Sequence, residues 1–185
     1  WMKAEPHDKC RGRRGSWERA INGLDLVQKA GRSPYLNITV GRYNAQSEDV
    51  KMLLDYSKQK KYTTLLNVAT PGGMWAKMTD IMVNEEDKAH LINMRKKYKN
   101  ILRNLWNPFD KAREEVLGCN TVNRMYITPA GDVLVCPYVH IKIGNVKEQS
   151  LREISEKGFS IKHFRDYSSK CLAGEDKDFV TKFMS

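Results

Sequence analysis

Apolar residues recur at two spacings in the first half of the chain, one typical of helices and one of strands. A stripe at every third or fourth position between Ser16 and Gly31 predicts a helix that Ser16 caps and Gly31 ends. Strands are predicted over 35–40 and 63–69, the second apolar almost throughout, as in a strand buried on both faces. Ser47 is expected to cap a helix between them. Helices alternating with strands indicate βαβ units and a parallel sheet.

A further helix is predicted from about 84 to 105, because one helical face collects the apolar residues of this segment. They are Leu91, Met94, Tyr98, Ile101 and Leu105.

The pattern changes after Pro108. Short strands over 125–127 and 133–135 flank Thr128-Pro129-Ala130-Gly131, whose proline and glycine suit a type I turn, so a β-hairpin is predicted. The sequence from Ser150 to Glu153 forms a capping box and predicts a helix that Gly158 can end. We therefore expect an α/β domain over 1–107 and a small α+β domain over 108–185.

Composition narrows the class of protein. The chain has 185 residues, enough to bury a core, and no stretch of about 18 apolar residues that could cross a membrane. Its first residues do not have the pattern of a signal peptide. Four cysteines without a secretion signal favour metal binding or redox chemistry in a reducing compartment, so we expect a cytoplasmic protein.

The formal net charge is +10, with basic clusters at 11–14 and 95–99. Such charge suits nucleic acid or an acidic peptide. It also suits solvated helix faces rich in lysine, and no aromatic nucleic-acid motif accompanies it.

Three cysteines in the last third of the chain are the strongest candidates for chemistry. Cys119 precedes the predicted hairpin, Cys136 ends it, and Cys171 follows the capped helix. Structural zinc sites favour cysteines two to four residues apart, whereas iron–sulfur clusters accept thiolates from separated loops. Buried, unreactive cysteines would show the same spacing.

The residues around these cysteines resemble a known family. The likeness is carried by Gly118-Cys119, by the run from Ile127 to Pro137, by Ile143-Gly144-Asn145-Val146 and by Ser150-Leu151-Arg152-Glu153-Ile154. In this order they resemble the C-terminal extension of radical S-adenosylmethionine (SAM) enzymes, which is called SPASM, or twitch in its shorter form. The stretch from Pro6 to Glu18 is similar to the segment after the third barrel strand of these enzymes.

The resemblance implies a fold and a cofactor. The fold is the second half of a partial (β/α)6 radical SAM barrel followed by a twitch/SPASM-like domain with a β-hairpin. The cofactor is an auxiliary [4Fe–4S] cluster held by Cys119, Cys136 and Cys171. No further cysteine follows Cys171, which favours the one-cluster twitch form. A fourth ligand is not evident: it is a carboxylate of Asp110, Glu114 or Glu115, or the position stays open to substrate or water.

One departure from the family is large. The Cys-x-x-x-Cys-x-x-Cys motif that binds the catalytic cluster is missing from this sequence. We therefore expect SAM and a second [4Fe–4S] cluster to depend on a missing N-terminal half or on a partner chain. The chain by itself is not expected to cleave SAM.

Further site residues are predicted outside the cysteine segments. Asn37 and Thr39 alternate on the first strand and are expected to face SAM or substrate; their ordinary interpretation is the polar face of a strand. Arg11 is a candidate for the SAM carboxylate or for a peptide, and solvated loop charge is its ordinary interpretation. The loop from Pro71 to Trp75 follows a strand at the end where barrel enzymes place substrate.

These observations lead to one functional prediction and one alternative. The prediction is a part of a radical SAM enzyme that modifies a peptide or protein through a 5′-deoxyadenosyl radical, with an acidic leader as a possible partner sequence. The alternative is a non-catalytic, metal-stabilised basic module that binds nucleic acid or a partner protein.

Overall fold

The computed structural model describes residues 1–103, 119–166, 168 and 170–184. Its first compact unit contains Trp1–Asn67 and the described residues from Glu85 onward up to 103. The second contains Val68–Asn84 and the described residues from Cys119 onward. The predicted boundary between 107 and 108 lies outside the described residues, as do the carboxylates of Asp110, Glu114 and Glu115.

The first unit places helices beside a three-stranded sheet. Its elements are α1 (Ala4–Arg11), α2 (Ser16–Lys29), β1 (Tyr35–Val40), α3 (Glu48–Gln59), β2 (Thr63–Val68), α4 (Glu85–Lys97) and β3 (Ile101–Arg103). The strand order is β1-β2-β3, and β2 pairs with β3 in parallel. The mixed α/β class is confirmed, while the closure of such strands into a partial barrel stays a prediction.

Several local predictions are confirmed in this unit. Strand β1 has its predicted limits, and the Ser47 side chain accepts a hydrogen bond from the Val50 N–H at the start of α3. For α2 the predicted stop is confirmed, because Gly31 follows the helix with a φ of 72°. The predicted cap is wrong: Ser16 is the first helical residue, Gly15 is the N-cap, and Asp8 supplies the capping carboxylate.

Two further predictions in this unit are wrong. Residues of β2 alternate between buried and half-buried, so this strand is not fully buried on both faces. The helix expected from 84 to 105 ends at Lys97, and Ile101–Arg103 forms a strand. Asn100 explains the change: its side chain donates to Ser57 Oγ at 3.0 Å and to the Tyr62 carbonyl at 2.9 Å. These bonds hold the chain beside β2, where its backbone finds partners.

The second unit is built around a β-hairpin extended to three strands. They are β4 (Tyr126–Ile127), β5 (Asp132–Leu134) and β6 (Lys142–Asn145), all antiparallel, and β6 has no counterpart in the predicted elements. The predicted turn is confirmed, because the Gly131 N–H donates to the Thr128 carbonyl at 2.9 Å and Gly131 has a φ of 91°. Helices α5 (Leu151–Ser160), α6 (Lys162–Arg165), α7 (Leu172–Glu175) and α8 (Lys177–Phe183) follow.

Helix α5 has the predicted start but does not have the predicted end. Both hydrogen bonds of the capping box between Ser150 and Glu153 are present. Gly158 does not end the helix but lies buried within it. A methyl group there would come within 2.9 Å of the Val122 side chain and 3.1 Å of Ile143, so the glycine allows close packing rather than a stop. In the described part of the chain, no helix is long and apolar enough to cross a bilayer.

Candidate metal centre

Gly144 and Asn145 on β6 stabilise the β-hairpin. Cys119 precedes this hairpin in the chain, and Cys136 follows it. Asn145 donates to Asp132 Oδ1 at 2.8 Å and accepts from the Lys147 N–H at 2.9 Å. A methyl group on Gly144 would lie 2.6 Å from Ile154, so glycine lets α5 pack directly on β6. The motif that carried the resemblance therefore acts structurally, by holding the hairpin against a helix.

Backbone hydrogen bonds bring the segments of the three cysteines together. The Cys119 N–H donates to the Ser168 carbonyl at 3.0 Å, which joins it to the segment before Cys171. The Val122 N–H donates to the Val135 carbonyl at 2.9 Å, next to Cys136. Val122 is buried with a φ of 66°, an outlying conformation for a β-branched residue. Such strain persists only where the surroundings impose it.

The three thiols are free and differ in exposure. Cys171 is buried, whereas Cys119 and Cys136 are partly buried. Burial raises the pKa of the Cys136 thiol, and the Cys119 charge adds to that rise. Burial also raises the pKa of Cys171, with contributions from the charges of Cys119, Glu175 and Cys136. Each thiol thus lies close enough to the other two for electrostatic coupling.

The polar groups around the thiols fit a bound anionic cluster. The Tyr138 N–H points to the Cys136 sulfur at 3.5 Å, and Thr121 Oγ1 lies 3.3 Å from the Cys119 sulfur. Hydrogen bonds to ligand sulfurs stabilise iron–sulfur clusters and tune their potentials. Burial alone disfavours the thiolate form, and bound iron would remove that cost by deprotonating the thiols outright.

A single metal ion and an iron–sulfur cluster require different spacings of their ligands. In the described part of the chain, no three His, Cys, Asp or Glu side chains converge closely enough to hold one metal ion. Zinc requires four ligands around one atom. Cysteines of a [4Fe–4S] cluster bind different irons and so lie farther apart. The three free thiols come from separated segments, and their role as ligands of a cluster stays a prediction.

Other predicted site residues lie apart from the cysteines in the chain. Asn37 and Thr39 are exposed on the same face of β1, and Asn37 accepts a hydrogen bond from the Asn67 amide of β2. The Asn67 Oδ1 is buried and has no hydrogen-bond partner among the residues that the structure describes. Arg11 is exposed at the end of α1, and no described hydrogen bond connects it to Asn37 or Thr39. Their role in binding SAM stays a prediction.

Three further side chains are candidate ligands or neighbours of the cysteines: His140, Cys10 and Glu175. His140 is exposed, and its Nε2 lies 3.2 Å from the Pro137 carbonyl rather than at the thiols. Cys10 is exposed on α1, in the other unit. Glu175, which the sequence interpretation passed over, accepts a hydrogen bond from the Cys171 N–H at 2.6 Å. Its spacing of four residues from Cys171 was the available signal, because i and i+4 share a helix face.

Comparison with known proteins adds an independent finding. Residues 119–175 match the family described as SPASM, an iron-sulfur cluster-binding domain. This match begins at Cys119 and includes Cys136 and Cys171.

Curated relatives resemble a larger part of the chain. An AdoMet-dependent heme synthase of Oleidesulfovibrio alaskensis is 26% identical over 91% of this chain and 50% of its own length. Heme synthases of the same description from Methanosarcina barkeri and Nitratidesulfovibrio vulgaris are each 25% identical, covering 88% and 91% of this chain and 53% of their own lengths. The chain spans about half the length of these relatives. The chain is thus similar to an iron-sulfur cluster-binding domain over residues 119–175 and to AdoMet-dependent heme synthases over most of its length.

Proposed function

We propose that this chain is part of a radical SAM enzyme and contributes an auxiliary [4Fe–4S] site through Cys119, Cys136 and Cys171. The observation that carries the proposal is that three free thiols from separated segments lie within reach of one another's charge, in a stretch similar to an iron-sulfur cluster-binding domain. Bound there, a cluster would supply one-electron transfer or an anchor for substrate. The residues of this chain hold the ligands, limit their contact with water and donate hydrogen bonds to sulfur.

The proposed reaction uses SAM as the source of a 5′-deoxyadenosyl radical that takes a hydrogen atom from a substrate. The sequence has no Cys-x-x-x-Cys-x-x-Cys motif for the catalytic cluster. SAM binding by Asn37, Thr39 and Arg11, the partial barrel and the twitch form of the second domain belong to the same proposal. So does an N-terminal half or partner chain that supplies the catalytic cluster.

A peptide or protein with an acidic leader is the proposed substrate. It is supported by the basic corner, defined as Lys9, Arg11, Arg13, Arg14 and Arg19 around the α1–α2 turn. All five side chains are exposed, and none has a carboxylate partner among the described ion pairs. The nearby carboxylate of Asp8 is occupied by hydrogen bonds to the start of α2.

A second substrate class is favoured by the names of the relatives. Because those proteins are described as heme synthases, a heme-related tetrapyrrole is an alternative to the peptide. Its carboxylates would suit the same cationic surface. Titration of a porphyrin with the protein tests this alternative. A shift of the porphyrin absorbance band would show that the tetrapyrrole binds, whereas binding of an acidic peptide produces no such band.

Anaerobic reconstitution with iron and sulfide tests the proposed cluster. We expect about four irons and four sulfides per chain with charge-transfer absorbance, and a loss of most of this iron in Cys136→Ala. Cys10→Ala is the matched control and should retain the iron of the parent chain, because this exposed thiol lies outside residues 119–175, the stretch similar to an iron-sulfur cluster-binding domain. One tightly bound zinc without that absorbance would favour the non-catalytic basic module instead.

A further inference from the structure

The segment from Cys171 to Glu175 contains a contact that the three-cysteine site does not explain. Helix α7 begins after Cys171, and the Cys171 N–H donates to the Glu175 carboxylate at 2.6 Å. The Glu175 N–H in turn donates to the Cys171 carbonyl at 2.8 Å. The two residues are thus joined in both directions across one helical turn.

Helix α7 is also held from another side by Val68 and Ala69 of the same unit. A methyl group on Gly174 would lie 2.6 Å from Val68 Cγ2 and 3.5 Å from the Ala69 carbonyl, all within the second unit. There is no space there for a larger side chain. Packing at Gly174 and the carboxylate contact at Glu175 together restrict the position of the Cys171 backbone.

The carboxylate of Glu175 accepts a hydrogen bond from the main-chain N–H of Cys171, so its negative charge lies beside this proposed ligand residue. A fixed negative charge beside an iron–sulfur cluster disfavours the added electron, and net charge is one of the main determinants of cluster potential. Charge-assisted hydrogen bonds to a carboxylate are among the stronger ones in proteins.

We propose that Glu175 is the positioning residue of Cys171: its carboxylate holds the Cys171 main chain, and its charge keeps the potential of a bound cluster low. The carboxylates predicted as fourth ligands, Asp110, Glu114 and Glu115, all precede Cys119 in the chain. Glu175 acts instead through Cys171 and is not a ligand. The part of this proposal that concerns the cluster rests on the proposed function, whereas the part that concerns the main chain does not.

Two variants separate the hydrogen bond from the charge. Glu175→Gln retains an oxygen acceptor for the Cys171 N–H and removes the negative charge, whereas Glu175→Ala removes both. Asp178→Asn is the charge control, because Asp178 is exposed on α8 and has no described contact with Cys171.

The first measurement uses the chain without iron. Hydrogen exchange of the Cys171 amide should be about tenfold faster in Glu175→Ala, and within about threefold of the parent in Glu175→Gln. An unchanged exchange rate in Glu175→Ala would overturn the positioning role. This result does not depend on whether the chain binds a cluster.

The second measurement uses the reconstituted chain. Glu175→Gln should retain its iron and show a higher cluster reduction potential in an electron paramagnetic resonance titration, while Asp178→Asn keeps the parent potential. Equal potentials in Glu175→Gln and the parent would overturn the charge effect. A loss of iron as complete as in Cys136→Ala would make Glu175 a ligand and overturn the assignment. Absence of iron from the parent chain would instead refute the proposed function, and the exchange measurement would still decide the positioning role.

Discussion

Asp8 illustrates how one carboxylate can organise the junction between two helices. It accepts hydrogen bonds from the Gly15 N–H at 2.5 Å, the Ser16 hydroxyl at 2.8 Å and the Trp17 N–H at 2.8 Å. These groups lie at the start of α2, where backbone donors lack helical partners. The Trp17 N–H is the largest cause that lowers the pKa of Asp8, from 3.8 to about 2, with smaller contributions from Ser16 and Gly15.

This pKa predicts a pH-dependent contribution to stability. Because the pKa of Asp8 is lower in the folded state, its contribution is present above about pH 4 and is lost as the pH falls toward 2. The melting temperature of the parent should exceed that of Asp8→Asn at pH 6, and the gap should shrink below pH 4. Thermal melts followed by circular dichroism measure the gap. Glu5→Gln, another carboxylate of α1, serves as the control and should show no comparable change.

A gap between parent and Asp8→Asn that stays constant from pH 6 to pH 2 would contradict this interpretation. It would show that the carboxylate charge does not contribute to the junction.

At the scale of elements, two helical glycines have opposite surroundings. Gly158 in α5 lies against Val122 and Ile143, and a methyl group there would meet both within 3.1 Å. Gly23 in α2 has no neighbouring atom within 4 Å of the position of a methyl group. Alanine is favoured over glycine in a helix, but only where the added carbon has space.

Replacing each of these two glycines with alanine should have opposite effects on the free energy of unfolding. Gly23→Ala should raise the free energy of unfolding by about 0.5–1 kcal/mol through helix propensity. Gly158→Ala should lower it by about 1–3 kcal/mol, because overpacking against β-branched side chains outweighs that gain. Urea denaturation measures both. Stabilisation by Gly158→Ala would contradict this prediction. It would mean that Val122 and the segment that follows Cys119 can move to make room for the added methyl group.

Strand β3 shows why element boundaries in this chain depend on tertiary contacts. Leu91, Met94, Tyr98 and Ile101 share a helical spacing, yet the helix ends before Tyr98. The Tyr98 hydroxyl donates to Asp55 at 2.6 Å, and β3 pairs with β2. Apolar spacing alone cannot separate a continuing helix from a turn followed by a short buried strand.

At the scale of the whole molecule, a net charge of +10 makes association with anions sensitive to salt. Variants can separate binding of an anion by the basic corner from a general attraction to the net charge of the chain. The pair Arg13→Glu and Arg14→Glu changes the net charge by the same amount as Lys51→Glu and Arg152→Glu. Lys51 and Arg152 already pair with Glu48 and Glu156 within their own helices.

Binding of a labelled acidic peptide tests the two double variants. At low salt, reversal of Arg13 and Arg14 should weaken binding about tenfold, and reversal of Lys51 and Arg152 should weaken it less. Fluorescence anisotropy at increasing salt measures both. Equal effects would assign the attraction to overall charge, and binding independent of salt would contradict an electrostatic partner site.

The sequence by itself determined the features that local chemistry decides. Turn residues such as Gly131, caps such as Ser47 and Ser150, and the limits of β1 follow from side chains acting on their own backbone neighbourhood. The order of motifs around Cys119 and Cys136 also indicated an iron–sulfur site before any contact was known.

Only the tertiary structure decided the features that depend on residues distant in sequence. It ended α4 early, added β6, placed Gly158 inside a helix and joined Cys119 to the segment before Cys171. It also joined Glu175 to the Cys171 backbone, a contact that the four-residue spacing alone left open. The physical reason is that burial and hydrogen bonding between separate segments select among local structures that the sequence pattern allows equally.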